Sequence, residues 1–208
     1  MAIAYVGGAT ASTGAGTATT LTITYTSTTN NALYLAFLAF NGTSNITSIT
    51  DSASNAWSLG AGGVANTCGS MFLAFTTSVA PTGVTSVVIH ATTATNICAV
   101  LGEYSGVATQ STNNIGAVVA ASPVTTGAIT VTSGNWLPSA LCCQTLNILP
   151  VFTANTGTLR NQATMTLPAG YGFGGVALVD NTTGTSLTDA ANFTGTYMTA
   201  LGMSKIIQ

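Results

Sequence analysis

Two neighbouring segments near the N-terminus differ in how they distribute hydrophobic and polar residues. Residues 20–26 read TLTITYT, where every second residue is threonine, whereas residues 32–40 contain no polar group except the Tyr34 hydroxyl. Strict alternation is typical of a strand with one buried face, and a short continuous apolar run indicates a strand covered on both faces. We therefore expect residues 20–26 to expose a threonine face. Residues 32–40 should form a central strand, with one face in an inter-sheet core and the other under loops or another chain.

The same two patterns recur along the chain and predict an all-β fold. Residues 128–132 repeat the alternation, and further apolar runs lie at residues 71–75, 87–89, 97–101, 115–121 and 176–179. Each run is bounded by residues that favour turns. No segment combines a 3.6-residue period with helix-forming residues, so we expect little or no helix. About a dozen strands joined by polar turns predict a β-sandwich, and a jelly-roll-like arrangement is one form of it.

A faint internal repeat predicts two related halves. Residues 20–37 resemble residues 128–143, 71–75 resemble 174–178, and 98–102 resemble 198–202, all at separations of roughly 100–107 residues. Short matches also arise by chance in a chain rich in threonine and alanine. The constant order nevertheless favours a duplication with halves 1–107 and 108–208. Because no linker separates them, we expect a single β-sandwich domain spanning residues 1–208.

Charged residues are rare, which limits the classes of function. The chain has 208 residues and a charged fraction of 3%, against about 25% in typical globular chains. Its mean hydropathy of +0.52 argues against disorder. Two basic residues cannot neutralise the roughly 6–10 phosphates of a usual nucleic-acid contact, nor form a polybasic membrane patch. We expect neither nucleic acid nor a membrane as a partner. Either a threonine-rich exposed surface or extensive contact with other subunits accounts for the missing charge.

The cysteines and the N-terminus indicate neither a metal site nor a leader. Cys142 and Cys143 are adjacent, so their side chains point to opposite faces of a strand. With Cys68 and Cys98 they form no CxxC motif, and the chain has one histidine, so we expect buried reduced thiols, no zinc and no cofactor. The first residues, MAIAYVGGAT, contain no basic region and no long apolar core, so we expect no signal peptide.

The candidate catalytic groups each have a structural interpretation that we favour. Asp51 precedes Trp57 in the segment DSASNAW, which fits a capped turn better than a calcium loop, because such a loop needs more acidic residues. His90 extends the apolar run 87–89, and no GxSxG motif provides a nucleophile for it to activate.

Glu103 is a candidate catalytic carboxylate. It ends an apolar strand, and with Asp51, Asp180 or Asp189 it could form the carboxylate pair that glycosidases use. The alternative is a strand-end carboxylate bonded to backbone N–H groups or to Arg160. We favour the alternative, and we expect no catalytic residues and no enzymatic activity.

Aromatic residues are the candidates for a ligand site or a subunit interface. Tyr25, Tyr104, Tyr171 and Tyr197 are the main candidates, within an aromatic set that also contains Tyr5, Tyr34, Trp57 and Trp136. Most such residues in sandwiches pack in the core or between subunits. Stacking against a sugar is the alternative, and uncharged polar loops would suit saccharide hydroxyls.

Three segments together resemble a group of uncharacterised β-sandwich proteins from phages, prophages and environmental bacteria. They are the alternating strand followed by NALYL at residues 31–35, TDSASNAW at residues 50–57, and EYSGV at residues 103–107. Members of the group are similar in length, often begin with Met-Ala-Ile-Ala or a close variant, and end on a hydrophobic strand like residues 198–207. Their genes often lie among virion genes. The resemblance implies the fold and a structural role, and it defines no catalytic residue.

These observations predict a non-enzymatic virion structural protein. A capsid decoration (cement) protein or a head or tail surface protein, made in the host cytoplasm and placed on the virion exterior, fits the lack of positive charge for packaged nucleic acid. Its partners would be other virion proteins and further copies of itself, for example in a trimer. The alternatives are a carbohydrate-binding or adhesive module for a host glycan, and a subunit of an extracellular filament.

Overall fold

A computed structural model describes residues 2–40, 45–60, 63–65, 69–119, 122–126, 129–130, 134–182, 186–187 and 189–208. These residues contain no helix, and their strands pair in an antiparallel manner. The predicted all-β sandwich is confirmed. Residues 120–121, 128 and 131–132 of two predicted strands lie outside the described residues, as does Cys68. Among the described residues, no helix has the length and hydrophobicity of a bilayer-spanning segment.

The first half of the chain forms two sheets. The described strands are Ala4–Ser12 (β1), Ala18–Thr24 (β2), Ala32–Ala39 (β3), Ile46–Asp51 (β4), Trp57–Leu59 (β5), Gly63–Ala65 (β6), Gly69–Thr76 (β7), Ser86–Thr95 (β8) and Ile97–Ser105 (β9). Inner sheet N has the order β1-β9-β3-β7-β5, and β6 also pairs with β7. Outer sheet N has the order β2-β8-β4.

The second half forms a similar pair of sheets and one short ladder. The described strands are Gln110–Val119 (β10), Val124–Thr125 (β11), Ile129–Thr130 (β12), Leu137–Thr145 (β13), Phe152–Thr156 (β14), Thr158–Thr166 (β15), Phe173–Asn181 (β16), Ser186–Leu187 (β17), Ala190–Phe193 (β18) and Tyr197–Ile207 (β19). Inner sheet C has the order β10-β19-β13-β16-β15, and outer sheet C has the order β11-β18-β14. β12 and β17 pair separately.

The strand order of inner sheet N repeats in inner sheet C. The first strand of each half lies at one edge, next to the last strand of that half, which in turn pairs with the long apolar strand β3 or β13. The neighbouring strand on the other side of β3 or β13 is β7 or β16, respectively. Residues 106–109 connect the two halves, between β9 and β10. Duplication, and a single domain over residues 1–208, stay predictions.

The four sheets stack as layers, with the two inner sheets in the middle. One apolar core lies between outer and inner sheet N, a second between the two inner sheets, and a third between inner and outer sheet C. In β3, Phe37 belongs to the first core and Leu38 to the second. The prediction that loops or another chain would cover the second face of this strand is therefore wrong, because the chain covers it with a sheet of its own.

The outer strands explain the alternating segments. Leu21 and Ile23 of β2 point into the core, whereas Thr20, Thr22 and Thr24 are exposed. Because an outer sheet has only one neighbour within the chain, alternate side chains must face outwards. The threonine face expected for this strand is confirmed.

The stack has two chemically different ends. We call them the Tyr104 end, where β13 begins, and the Tyr171 end, where β13 finishes. At the Tyr104 end an aromatic cluster lies between the inner sheets. Tyr104 contacts Tyr5, Tyr34 and Trp136 edge to face, at centroid distances of 5.5, 5.4 and 6.0 Å.

Candidate functional site

The structure does not bring the four named tyrosines together. Tyr25 and Tyr104 lie at the Tyr104 end but on opposite faces of inner sheet N, Tyr25 beside the outer-sheet core and Tyr104 between the inner sheets. Tyr104 has no exposed surface, whereas Tyr171 at the far end is 41% exposed. Tyr197 lies in β19, and its side chain is outside the described residues.

Glu103 holds the β2–β3 connection against β9. Its side chain is buried and accepts three hydrogen bonds, from the Tyr25 hydroxyl at 2.6 Å, the Thr28 N–H at 2.9 Å and the Asn31 amide at 2.5 Å. Burial, together with the hydrogen bond to this carboxylate, raises the pKa of Tyr25. The backbone partner fits the structural interpretation, but Arg160 pairs with Asp180 instead of Glu103.

Asp51 caps the turn of the DSASNAW segment. One carboxylate oxygen accepts the Ala53 and Asn55 backbone N–H groups at 2.9 and 3.1 Å. The other accepts the Asn55 side chain at 3.1 Å and the Trp57 indole at 2.7 Å. Trp57 then packs against the outer-sheet core. The predicted capped turn is confirmed, and its acid is fully occupied by the turn.

His90 and the described cysteines lie in structural positions. His90 points to the outer face of β8, where its Nε2 lies 2.8 Å from the Thr50 hydroxyl. Cys98 and Cys142 are buried in the core between the inner sheets, and Cys143 is buried in the core beneath outer sheet C. The predicted opposite faces of Cys142 and Cys143 are confirmed. Within the described part of the chain, no three His, Cys, Asp or Glu side chains are grouped to hold a metal ion.

Arg160 and Asp180 form a partly buried ion pair at the Tyr104 end. Arg160 Nε donates to Asp180 Oδ2 at 2.7 Å, and the Tyr104 hydroxyl donates to the same oxygen at 2.9 Å. The Arg160 guanidinium also lies over two rings, 4.7 Å from the Tyr5 centroid and 5.7 Å from that of Trp136. The pair therefore links inner sheet C to the aromatic cluster between the inner sheets.

A β-bulge places Arg160 in this position. Leu159 pairs with Val179 and Asn161 pairs with Leu178, so β15 has one more residue than β16 at this point, and that residue is Arg160. Bulges re-aim a side chain and increase the local twist. The bulge thus presents the guanidinium to Asp180 near the end of the neighbouring strand.

Asp180 keeps one unused acceptor. It is 1% exposed, and its Oδ1 has no hydrogen-bond partner among the described residues. It lines a cleft of about 290 Å³ together with Trp136, Gly157, Thr158, Arg160, Asn181 and Thr182. An unpartnered buried carboxylate oxygen is costly, so a donor from outside the protein would be favoured there.

Asp189 lies behind this cleft, on the opposite face of inner sheet C. The Ser139 hydroxyl donates to its Oδ2, and its own backbone N–H donates to the Thr126 hydroxyl at 3.0 Å. Burial raises the pKa of Asp189 to about 7, opposed by the Ser139 hydrogen bond and assisted by the charge of Asp180. The side chains of Asp180 and Asp189 face opposite sides of the sheet, which differs from the facing carboxylates of a glycosidase.

The Tyr171 end carries an exposed apolar tip. We use this name for Leu146, Ile148, Leu149 and Val151 of the β13–β14 loop, each between 45% and 53% exposed, together with Tyr171. The Gln144 amide donates to the Tyr171 carbonyl, which holds the two loops side by side. Isolated exposed apolar residues are ordinary, whereas a cluster of them is a candidate interaction surface.

A larger cleft of about 450 Å³ opens at the same end. Its lining is neutral and consists of Thr17, Phe40, Asn45, Thr92, Thr93, Ala94, Thr95, Asn96 and Pro168. Asn45 hydrogen-bonds the backbone and hydroxyl of Thr93, at 2.7 to 3.0 Å. Its described lining residues include no ionic side chain, so they offer none of the charge-assisted hydrogen bonds available at Asp180.

Comparison with protein-family models, curated proteins and solved structures yields no match. Sequence reasoning considered Glu103 as a catalytic candidate, favoured a structural role for it, and did not single out the Arg160–Asp180 pair or the apolar tip. Two signals were present: Arg160 is the single arginine of the chain, and residues 146–151 read LNILPV in an otherwise polar set of loops.

Proposed function

We propose that the chain is a non-enzymatic structural protein of a virion exterior, a capsid decoration or head or tail surface subunit that assembles through uncharged β surfaces. The observation that carries this proposal is the inward placement of charge. Glu103, Asp180 and Asp189 are buried, and Asp51 and Arg160 are only partly accessible. The described surface thus offers neutral hydroxyl, amide and apolar groups to its surroundings.

A neutral surface favours close packing of identical subunits. Like charges that face each other across an interface oppose assembly, and the described surface of this chain carries few charged groups. The outward threonines of β2 provide hydroxyl groups, and the apolar tip provides area whose removal from water is favourable. The resemblance of residues 31–35, 50–57 and 103–107 to phage-associated sandwiches supports a virion as the particle.

Light scattering and electron microscopy of the purified chain test the proposal. We expect self-association that changes little between about 0.05 and 1 M salt, because screening weakens only charge-dependent contacts. We expect the double substitution Ile148→Lys and Leu149→Lys to weaken it at least about tenfold, since burying one aliphatic side chain is worth about 1.5–3 kcal/mol.

Val6→Lys is the matched control. Val6 is 48% exposed, like the tip residues, but lies at the opposite end of the stack. Its substitution should leave assembly unchanged. The proposal would be overturned if the chain stayed monomeric when its concentration is raised and also bound no phage particle. Closed particles support it, whereas open head-to-tail fibres would show a filament subunit instead.

A further inference from the structure

We propose that the cleft beside Asp180 binds a neutral saccharide and holds one sugar ring through two adjacent hydroxyl groups. This inference concerns ligand recognition and does not depend on the assembly role proposed above. It begins with the size of the cleft. A volume of about 290 Å³ lies just below the range of about 300–1,000 Å³ that is typical of drug-sized ligands. A single ring fits this space better than an extended molecule.

The charges of the cleft favour a neutral ligand. Its ionic groups are Arg160 and Asp180, which neutralise each other at 2.7 Å. An anion bound at Arg160 would lie close to the Asp180 carboxylate, and a cation bound at Asp180 would lie close to the Arg160 guanidinium. Either ligand would therefore be repelled by a like charge in a partly buried site. The remaining polar lining consists of Thr158, Asn181 and Thr182, which carry no charge.

The hydrogen-bonding capacity of the pair matches two neighbouring hydroxyl groups. Asp180 Oδ2 already accepts from Arg160 and Tyr104, whereas Oδ1 has no partner among the described residues. The described hydrogen bond of Arg160 uses Nε, and a guanidinium has further N–H donors on its two terminal nitrogens. Oδ1 exposes less than 1 Å² of surface, so one sugar hydroxyl would donate to it once the carboxylate turns towards the cleft, and the next hydroxyl would accept from the guanidinium. Both hydrogen bonds would be charge-assisted.

Trp136 supplies the aromatic surface of the cleft. Its backbone bonds Ile207 in both directions, at 3.0 and 2.9 Å, which fixes the residue beside β19. The apolar face of a sugar ring packs well against an indole, since the indole offers a large apolar area and keeps a polar N–H at its edge. Tyr5 and Trp136 also hold the Arg160 guanidinium between them. The guanidinium is thus ordered before the ligand arrives, which reduces the entropic cost of binding.

Tryptophan fluorescence gives a specific test, because the chain has two tryptophans, Trp57 and Trp136. In Trp57→Phe the remaining tryptophan lines the cleft. We would titrate this variant with glucose, galactose, mannose, N-acetylglucosamine and their disaccharides, and with N-acetylneuraminic acid and glucosamine as charged probes. At least one neutral sugar should change the emission saturably, at least about tenfold more tightly than the charged probes. Trp136→Phe should show no response to the same sugar.

Two substitutions at exposed threonines locate the bound sugar. Thr158→Val lies in the proposed cleft and Thr92→Val in the larger neutral cleft, so the pair is matched in chemistry and accessibility. Calorimetry on the otherwise native chain should show a several-fold loss of affinity for Thr158→Val and none for Thr92→Val. Asp180→Asn and Arg160→Lys should each lose tenfold or more. Because Thr158 is exposed, this arm remains informative even where the Asp180 variant fails to fold.

Three results would overturn the inference. They are the absence of a saturable response to any neutral sugar at about 50 mM, a stronger response to a charged probe, and a loss of affinity in Thr92→Val but not in Thr158→Val. Each can occur whether or not the chain assembles, so failure here is distinguishable from failure of the assembly proposal.

Discussion

The two halves of the molecule use their acidic residues in opposite ways on the same arrangement of strands. In the first half, every carboxylate oxygen of Asp51 and Glu103 accepts at least one hydrogen bond from a neighbouring turn or strand. In the second half, Asp180 and Asp189 are both buried, but each keeps one oxygen without a partner among the described residues. The first pair thus stabilises the fold through hydrogen bonds. In the second pair, one oxygen of each carboxyl group remains able to accept a hydrogen bond or a proton.

This difference indicates which half of the molecule can carry a binding site, although the two inner sheets share one strand order. Outer sheet N and outer sheet C each have three strands, and the second half has in addition the separate β12–β17 ladder. The cleft beside Asp180 and the apolar tip both belong to the second half. We therefore expect loss of an acidic side chain to lower stability in the first half, and changes at Asp180, Asp189 or the apolar tip to alter binding, assembly or pH dependence as well.

The largest effect should come from Glu103→Ala. The substitution removes the acceptor of three hydrogen bonds and leaves three donors beside a buried position. Hydrogen bonds to charged groups contribute about 1.5–3 kcal/mol each, and water can reach part of this site, so we expect the free energy of unfolding to fall by about 4–5 kcal/mol. Urea denaturation measures this.

Glu103→Gln serves as the control for shape, because it keeps one acceptor oxygen and should lose roughly half as much. If Glu103→Ala unfolds within about 1 kcal/mol of the native chain, Glu103 is not a structural anchor, and the contrast between the halves fails.

The second effect is a pH dependence that belongs to Asp189. Its pKa is raised from 3.8 to about 7 in the folded chain, so between these values the native state binds a proton that the unfolded state has lost. The contribution of Asp189 is fully present below about pH 4. It is lost as the pH rises through about 7, by at most about 4 kcal/mol at about 1.4 kcal/mol per pKa unit.

Asp189→Asn isolates this term, since asparagine stays neutral and still offers an oxygen to Ser139. The variant should be more stable than the native chain at pH 8 and should lose most of that advantage at pH 4.5, when both are unfolded in urea. Equal pH profiles for the two chains would show that the Asp189 carboxyl titrates normally.

The hydrophobic pattern was sufficient to predict the strands but not what covers them. Alternation in β2 and the continuous run in β3 report how many faces each strand buries, and both predictions of burial were correct. The pattern cannot say whether the second cover is a sheet of the same chain or another molecule, because both remove the same surface from water. The outer sheets therefore had to be seen.

The site was harder to predict, because it depends on register. Arg160 meets Asp180 through a one-residue bulge between Leu159 and Asn161, and no residue type in that segment marks the bulge. Glu103 was singled out correctly as a strand-end carboxylate with a backbone partner. Its Tyr25 partner is 78 positions away, so the hydrogen bond depends on how outer sheet N packs and not on local sequence.

The smallest effect compares two glycines with positive φ, one in each half. Gly14 has a φ of 63°, with no atom within 4 Å of an added Cβ, whereas Gly157 has a φ of 75°, with the Asp180 carbonyl at 2.5 Å and Asp189 Oδ1 at 2.7 Å from that position. Alanine at Gly14 should cost only the backbone strain of about 1 kcal/mol. Alanine at Gly157 should cost about 2–3 kcal/mol, because the added methyl also meets a backbone oxygen that cannot move without disturbing β16.

Thermal or urea unfolding of both variants gives the difference directly. Equal losses would mean that the ends of β15 and β16 are not held tightly around Asp180 and Asp189, and the second half would then lack the rigid support that its cleft requires.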